Sequence, residues 1–370
     1  MEEKMEVNNH RFFTRMTVVL SCVIALFSFS PAGAQTQLSQ YWPGVTPEGA
    51  VYFLPKTALR ISVLVEKTTY VPGDFAPYAQ RYLRMADVSQ EPKTSFRVAG
   101  VTVAPCPVAD TTKVYAVKFD ARSVASRMTL SDDSRLLALN IENAEDAERP
   151  TFFIPAPRPE EVNPRQFMGE EILSCGSTAK MAEMTAHEIY DLRENRTLLI
   201  KGQADFMPQD GRQMEIMLNE LDRQDRALSS LFVGTTRRDT TEHVLWLTPT
   251  ASQGKTVLFR LSQVRGLVEA DDLSGAPFYY ALDDITQLPH EEETGKKAKS
   301  KDGIYVNVPG RMRLTLYEGV KPILTEEHPA PQFGQTMLLS GSLFNKHYAT
   351  RLLLDPLSGA VLRIDADQPK

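Results

Sequence analysis

Leu59, Ile61, Val63 and Val65 share one face of a period-two run, with Arg60, Ser62 and Glu66 opposite. That alternation predicts a half-buried β-strand. Apolar runs at 51–54, 96–103, 114–119 and 135–140 predict further strands, and Tyr70-Val71-Pro72-Gly73-Asp74 predicts a turn. Asp74 is placed to cap a short helix through Tyr82 and Leu83, with Pro77 in its first turn. The period then changes. Over 177–200, Met181, Met184, Ile189, Leu192 and Leu199 form one stripe of a 3.6-residue helix. Over 210–233, Met214, Met217, Leu218, Leu221, Leu228, Leu231 and Phe232 form a second. The link 202–211 is short enough for an antiparallel hairpin. Strands return at 242–247, 256–261, 304–308, 312–316, 336–339 and 349–354, and the turn Asp355-Pro356-Leu357-Ser358-Gly359 leads into a last one at 360–364.

These elements predict an α+β fold. Two antiparallel β-rich domains, 35–148 and 235–370, flank a Pro-rich linker at 149–170 and a central antiparallel helical hairpin at 171–234. Pro150, Pro155, Pro157, Pro159 and Pro164 make the linker a stiff, exposed connection, along which Phe152, Phe153 and Ile154 have the chance to pack on a neighbour. Glu291 to Lys301 reads as a polar loop. Tyr52-x-x-Pro55 followed by Arg60 to Val63 echoes Tyr305-x-x-x-Pro309 followed by Arg313 to Leu316. Two related β units are one reading of that echo, and shared strand composition is the other.

The start of the chain changes the picture more than its bulk composition does. Arg11 and Arg15 precede an apolar run at 16–29, and Ala32-Gly33-Ala34 supplies small residues before Gln35. This predicts a secretory signal peptide over 1–34, since the run falls short of the ~20 residues needed to span a bilayer. Val19-Leu20-Ser21-Cys22 loosely resembles a lipidation site, but most of the apolar run follows Cys22 rather than preceding it. No second run of spanning length follows in the mature chain. An oxidising destination leaves Cys106 and Cys175 open to two readings, a disulfide or two free thiols. With 41 Lys+Arg against 47 Asp+Glu, the net charge of -6 argues against nucleic acid, which calls for a basic face.

Several short motifs suggest chemistry and are weighed against plain structural roles. Ser177-Thr178-Ala179-Lys180 has the Ser-x-x-Lys spacing of penicillin-binding proteins and serine β-lactamases, where an amine one turn away activates the hydroxyl. Tyr305-Val306-Asn307 imitates a second element of that site, but no Lys-Thr-Gly strand follows it. The simpler reading makes Ser177 a helix N-cap. His187-Glu188-Ile189-Tyr190-Asp191 places His187 and Asp191 four residues apart with Glu188 as a base, as in a zinc helix, but marks no third ligand. A solvated helix face is the alternative. Gly254-Lys255-Thr256 ends like a phosphate loop but is followed by a strand, so the helix N-terminus that would hold phosphate is missing. Asp271-Asp272 and Asp283-Asp284 beside Tyr279-Tyr280 suggest a glycan or calcium loop, or only solvated acids.

Four stretches together carry a family resemblance: Tyr70-x-Pro72-Gly73 through Tyr78-Ala79-x-x-Tyr82-Leu83, Gly176 to Glu183, Ile189-Tyr190-Asp191, and Met207-Pro208-x-Asp210-Gly211. Their order resembles an exported family of Bacteroidetes-type bacteria built on a domain of unknown function. The resemblance implies a Gram-negative envelope location and brings no catalytic residues. The leading expectation is a non-enzymatic envelope binding or structural protein, with an envelope protein or glycan as partner and no cofactor. The runner-up is an envelope hydrolase using Ser177 and Lys180, or His187, Glu188 and Asp191.

Overall fold

The alternation at 59–65 is the middle of a much longer strand. The computed structural model describes residues 49–118, 127–158, 162–288, 303–344 and 349–367. The expected leader at 1–34, with Cys22, and the polar run 291–301 lie outside the described residues. Strand β1 covers Gly49–Val71, a 3₁₀ turn and helix α1 (Ala79–Leu83) follow, and β2 covers Lys93–Lys118. Next come β3 (Met128–Leu130), β4 (Leu136–Leu139), α2 (Glu170–Leu173), α3 (Thr178–Lys201) and α4 (Gly211–Val233). The remainder is β5 (Thr235–Leu247), β6 (Gln253–Ser262), β7 (Gly266–Val268), β8 (Ala276–Asp284), β9 (Gly303–Glu318), β10 (Lys321–Ser340), β11 (Ala349–Leu354) and β12 (Val361–Asp367).

The strands form three sheets, ordered β2-β1-β5, β10-β9-β8-β6-β7 and β12-β11-β4-β3, and their ladders are antiparallel. A straight strand of 23 residues would reach about 75 Å, at ~3.3 Å per residue. β1 instead bends where its register with β2 shifts, between Phe53 and Pro55 and again between Leu64 and Val65. Pro55 has no N–H for the ladder, so a shift there is the tolerated place for it. Pro105 and Pro107 sit on β2 and Pro329 and Pro331 on β10, both edge strands.

The sequence echo occupies equivalent positions. β9 and β10 form a second long hairpin, whose register shifts between Ala330 and Gln335, opposite Pro309. Before their breaks, β1 and β9 give Tyr52, Leu54, Ile304 and Val306 to one core, completed by Leu136, Leu139, Leu352 and Leu354. Beyond them, Leu59, Ile61 and Val63 face Met312, Leu314 and Leu316 in another core, with Phe259 and Phe278 stacked at 4.6 Å. Each core therefore takes strands from both the 35–148 and the 235–370 segments. Alternation shows which face a strand buries, and not which sheet covers it.

Side chains complete the hydrogen bonding where the ladders break. The Tyr305 N–H donates to the Tyr52 hydroxyl at 2.8 Å, and that hydroxyl donates to the Tyr305 carbonyl at 3.1 Å. Burial pushes the Tyr52 phenol well above its ordinary pKa, which keeps it neutral and able to donate. Asn307 Nδ2 donates to the carbonyls of Pro55 and Ser358, at 3.0 and 2.9 Å. The Thr57 N–H donates to Gln332 Oε1 and the Thr57 carbonyl accepts from Gln332 Nε2, both at 3.0 Å. Gln332 thus takes the part of a neighbouring strand.

The helices form a third core of Phe75, Leu83, Ile172, Ile189, Leu228 and Phe232 among others. α3 and α4 run antiparallel, as the ion pairs Arg193–Asp225 and Arg196–Asp222 show. The stripe of α4 is buried only toward its end, at Leu228, Leu231 and Phe232, while Met214, Met217, Leu218 and Leu221 are half-buried. No helix among the described residues is long and apolar enough to cross a membrane. The expected cap at Asp74 is corrected: no side chain caps the 3₁₀ turn, and Asp74 pairs with Arg165 at 3.2 Å.

Two glycines weld this helical layer to the sheet. A Cβ on Gly73 would lie 2.1 Å from the Leu231 carbonyl oxygen, the same atom that accepts from the Phe75 N–H at 2.7 Å. Gly234 has φ +75, and a Cβ there would lie 2.4 Å from the Val71 carbonyl oxygen. Only glycine takes that conformation in that space at low cost. α4 therefore ends against the end of β1, and β5 starts at the next residue.

Candidate functional site

Because α4 turns directly into β5, the two diverge from a common corner. The linker closes the third side. The space between them is an open groove of about 1720 Å³. Its floor is the first half of β5, residues 235–241, which pairs with β1 on one side and is an edge of its sheet on the other. One wall is α4, through Arg223, Arg226, Ala227 and Ser230; the other is the linker, from Phe153 to Arg158 and from Val162 to Pro164.

The linker is pinned near Phe153 to a buried polar cluster. Glu242 on β5 receives the Phe153 N–H on Oε2 at 3.0 Å, and Arg60 and Ser62 on Oε1 at 2.8 and 2.5 Å. The hydrogen bonds from Ser62 and Phe153, then the charge of Arg60, hold the Glu242 carboxyl below its ordinary range. Arg60 is 6% exposed and lies 5.2 Å under the Phe152 ring. Phe152, Ile154 and Trp246 are themselves exposed, so the linker packs through Phe153 and this polar cluster more than through its apolar residues.

The groove is strongly basic. Among the described residues, Arg158, Arg223, Arg226, Arg237 and Arg238 line it, with Asp239 the acid between them. Arg158 from the linker and Arg237 from β5 share that acid, each placing its Nε 3.0 Å from a different carboxylate oxygen. Arg223 meets Glu220 of its own helix, at 3.6 Å, and packs over the Phe167 ring. Arg226 donates to the Asp222 carbonyl one turn back. Among the described residues no histidine or cysteine lines the groove, and Ser230 donates to the Ala227 carbonyl of its own helix at 2.6 Å. The arrangement is equipped to hold carboxylates.

The residues singled out by sequence lie elsewhere. Ser177 caps α3, accepting from the Lys180 N–H at 3.3 Å, while the Lys180 ammonium pairs with Glu183 at 3.3 Å. Both residues are exposed. Asn307, the imitated second element, is buried and committed to Pro55 and Ser358, far in sequence from Ser177. His187 and Asp191 are exposed on α3 with Glu188 half-buried between them, and no group of three or more His, Cys, Asp or Glu residues among the described ones is placed to hold a metal. Cys106 and Cys175 are both free. Cys106 is buried in β2, whereas Cys175 sits just before α3, its sulfur 3.3 Å from that of Met184, so the bridge alternative is not realised.

The suggested acidic loop is also corrected. Residues 276–284 are β8, with Tyr280 in the core and donating to Gln253 Oε1 at 2.8 Å. Asp284 accepts from the Thr286 N–H and Asp272 from the Ser274 N–H, each at 2.9 Å, so these two acids close turns. Lys255 donates to the Gly319 carbonyl and lies between the rings of Tyr279 and Tyr317, 4.8 and 4.6 Å from their centres. That is a cation–π clamp on β6 and not a phosphate loop.

Sequence reasoning missed the groove because its arginines come from three separate segments. One signal was available: Arg223 and Arg226 lie one turn apart on a helix that ends four residues before Arg237-Arg238. The stretches that carried the family resemblance, by contrast, converge on the helical core. Phe75, Ala79 and Leu83 pack with Ala182, Ala186 and Ile189, and the Tyr190 hydroxyl donates to the Tyr82 carbonyl at 3.0 Å. Asp210 caps α4 by accepting from the Gln213 N–H at 2.7 Å. No curated protein and no solved structure matches the chain. A family model does match, over residues 48–362, and by it the chain belongs to the family described as Domain of unknown function (DUF4831).

Proposed function

We propose that this chain is an exported, non-enzymatic binding protein of the envelope of Bacteroidetes-type Gram-negative bacteria, and that it engages its partner in the arginine-lined groove. The single observation behind this reading is the groove itself: a large concavity with convergent polar groups is where a ligand is expected, and this one offers cations without a nucleophile or base. α4, braced by α3, serves as one wall of the groove. The apolar run at 16–29 and the small residues before Gln35 support export.

Two measurements test the reading. The mature protein isolated from an envelope fraction should begin at Gln35. A chain retained in the cytoplasm with residues 1–34 intact would contradict export. A fluorophosphonate or labelled β-lactam should leave the purified protein unmodified; labelling that disappears in Ser177→Ala would establish the hydrolase reading instead.

A further inference from the structure

We propose that the groove takes an extended acidic peptide segment of a partner protein, which adds as a further strand along the outer edge of β5. The inference deepens the binding reading above and rests on it. An edge strand presents a row of N–H and C=O groups that a second chain can pair with. β5 is such an edge, and its residues 235–241 form the groove floor, about 23 Å long at ~3.3 Å per residue. The linker across the groove cannot complete the sheet at Pro155 and Pro157, because proline has no N–H to donate. Among the described residues no backbone hydrogen bond joins the linker to β5.

The charges state what the added strand carries. Among the described residues five arginines line the groove with one aspartate, and Arg158 and Arg237 already show how a carboxylate is held here, between a guanidinium from the linker wall and one from the floor. Arg223 and Arg226 stand on the α4 wall, where their own contacts are one loose pair within the helix and one helix carbonyl. Arg238, on the floor, also acts on Glu66, whose carboxylate is held chiefly by Arg97. Guanidinium groups favour carboxylates by charge and by paired donor geometry. A strand whose alternate side chains are acidic would meet these arginines while its backbone pairs with β5. A flexible polyanion would use the charge alone, so the backbone dependence separates the two.

The test is fluorescence anisotropy of the full mature chain with a labelled eight-residue peptide in which glutamate alternates with valine and threonine. Two further peptides carry N-methyl groups on one or the other alternating set of backbone amides. The proposal expects the parent peptide to bind, one methylated set to weaken binding by about tenfold or more, and the other set to bind like the parent. It also expects glutamine in place of glutamate, or the Arg223→Glu/Arg226→Glu variant, to weaken binding by at least about tenfold. Should that variant unfold, Arg238→Gln is the substitute and should weaken binding in the same direction. Equal binding by all three peptides, with dextran sulfate displacing them, would overturn strand addition in favour of a general polyanion groove. Failure of the parent peptide to bind would also overturn it. Neither result touches the non-enzymatic reading, which the covalent probes judge separately.

Discussion

The outer face of α3 and the groove beside β5 are both polar, yet they are polar in different ways. At the start of α3, Ser177 accepts from the Lys180 N–H and Lys180 pairs with Glu183 within two turns, and His187 and Asp191 follow on exposed positions of the same helix. In the groove, the arginines come from the linker, from α4 and from β5, and converge on a shared space. Residues close in sequence can look like a catalytic motif while serving only their own helix. Residues of like charge brought together by the fold from distant segments mark a place meant for something else.

The strongest way to break this comparison is to open the corner that creates the groove. Gly234→Val would force a branched side chain to positive φ and drive its Cβ into the Val71 carbonyl. It should cost about 2–4 kcal/mol, read as a lowered midpoint in urea, and should abolish peptide binding as well. If it is stable and still binds, the groove does not depend on that joint.

Acid is the next lever, acting on the linker wall. Glu242 has its folded pKa depressed below the ordinary 4.5 by Ser62, Phe153 and Arg60, so its contribution is present above the unfolded value and is lost as pH falls through the folded one. Wild type should therefore lose thermal stability between about pH 5 and 3 more steeply than Glu242→Gln does. Parallel curves would mean that Glu242 does not pin the linker.

A smaller effect is expected at the cap. Ser177→Ala should cost roughly 0.5–2 kcal/mol, with Ser177→Asp close to wild type because an acid also caps and suits the helix dipole. Binding to the acidic peptide should not change in either variant. Least of all, His187→Ala should shift stability by no more than about 0.5 kcal/mol, as for an ordinary exposed position.

Much of the fold was legible because period-two and 3.6-residue patterns report burial directly. Leu59, Ile61 and Val63 are fully buried, and α3 and α4 begin and end within a residue of the predicted limits. The prolines hid continuity: Pro55, Pro105 and Pro107 suggested ends to short strands, whereas register shifts and edge positions let β1 and β2 run through them. The strand β8 was missed although Phe278, Tyr280 and Leu282 alternate, because the neighbouring acids drew attention to a loop. The groove was the least legible part. No local pattern joins Arg158, Arg226 and Arg238, which meet only because Gly73 and Gly234 let α4 abut β1.

The most direct test of the account sets the two regions against each other in one titration. The acidic peptide is titrated into wild type, into Arg223→Glu/Arg226→Glu and into His187→Ala/Asp191→Asn, with melting curves confirming that all three are folded. The account predicts at least about tenfold weaker binding in the groove variant and unchanged binding in the α3 variant. Unchanged binding in the groove variant, or a loss confined to the α3 variant, would contradict it.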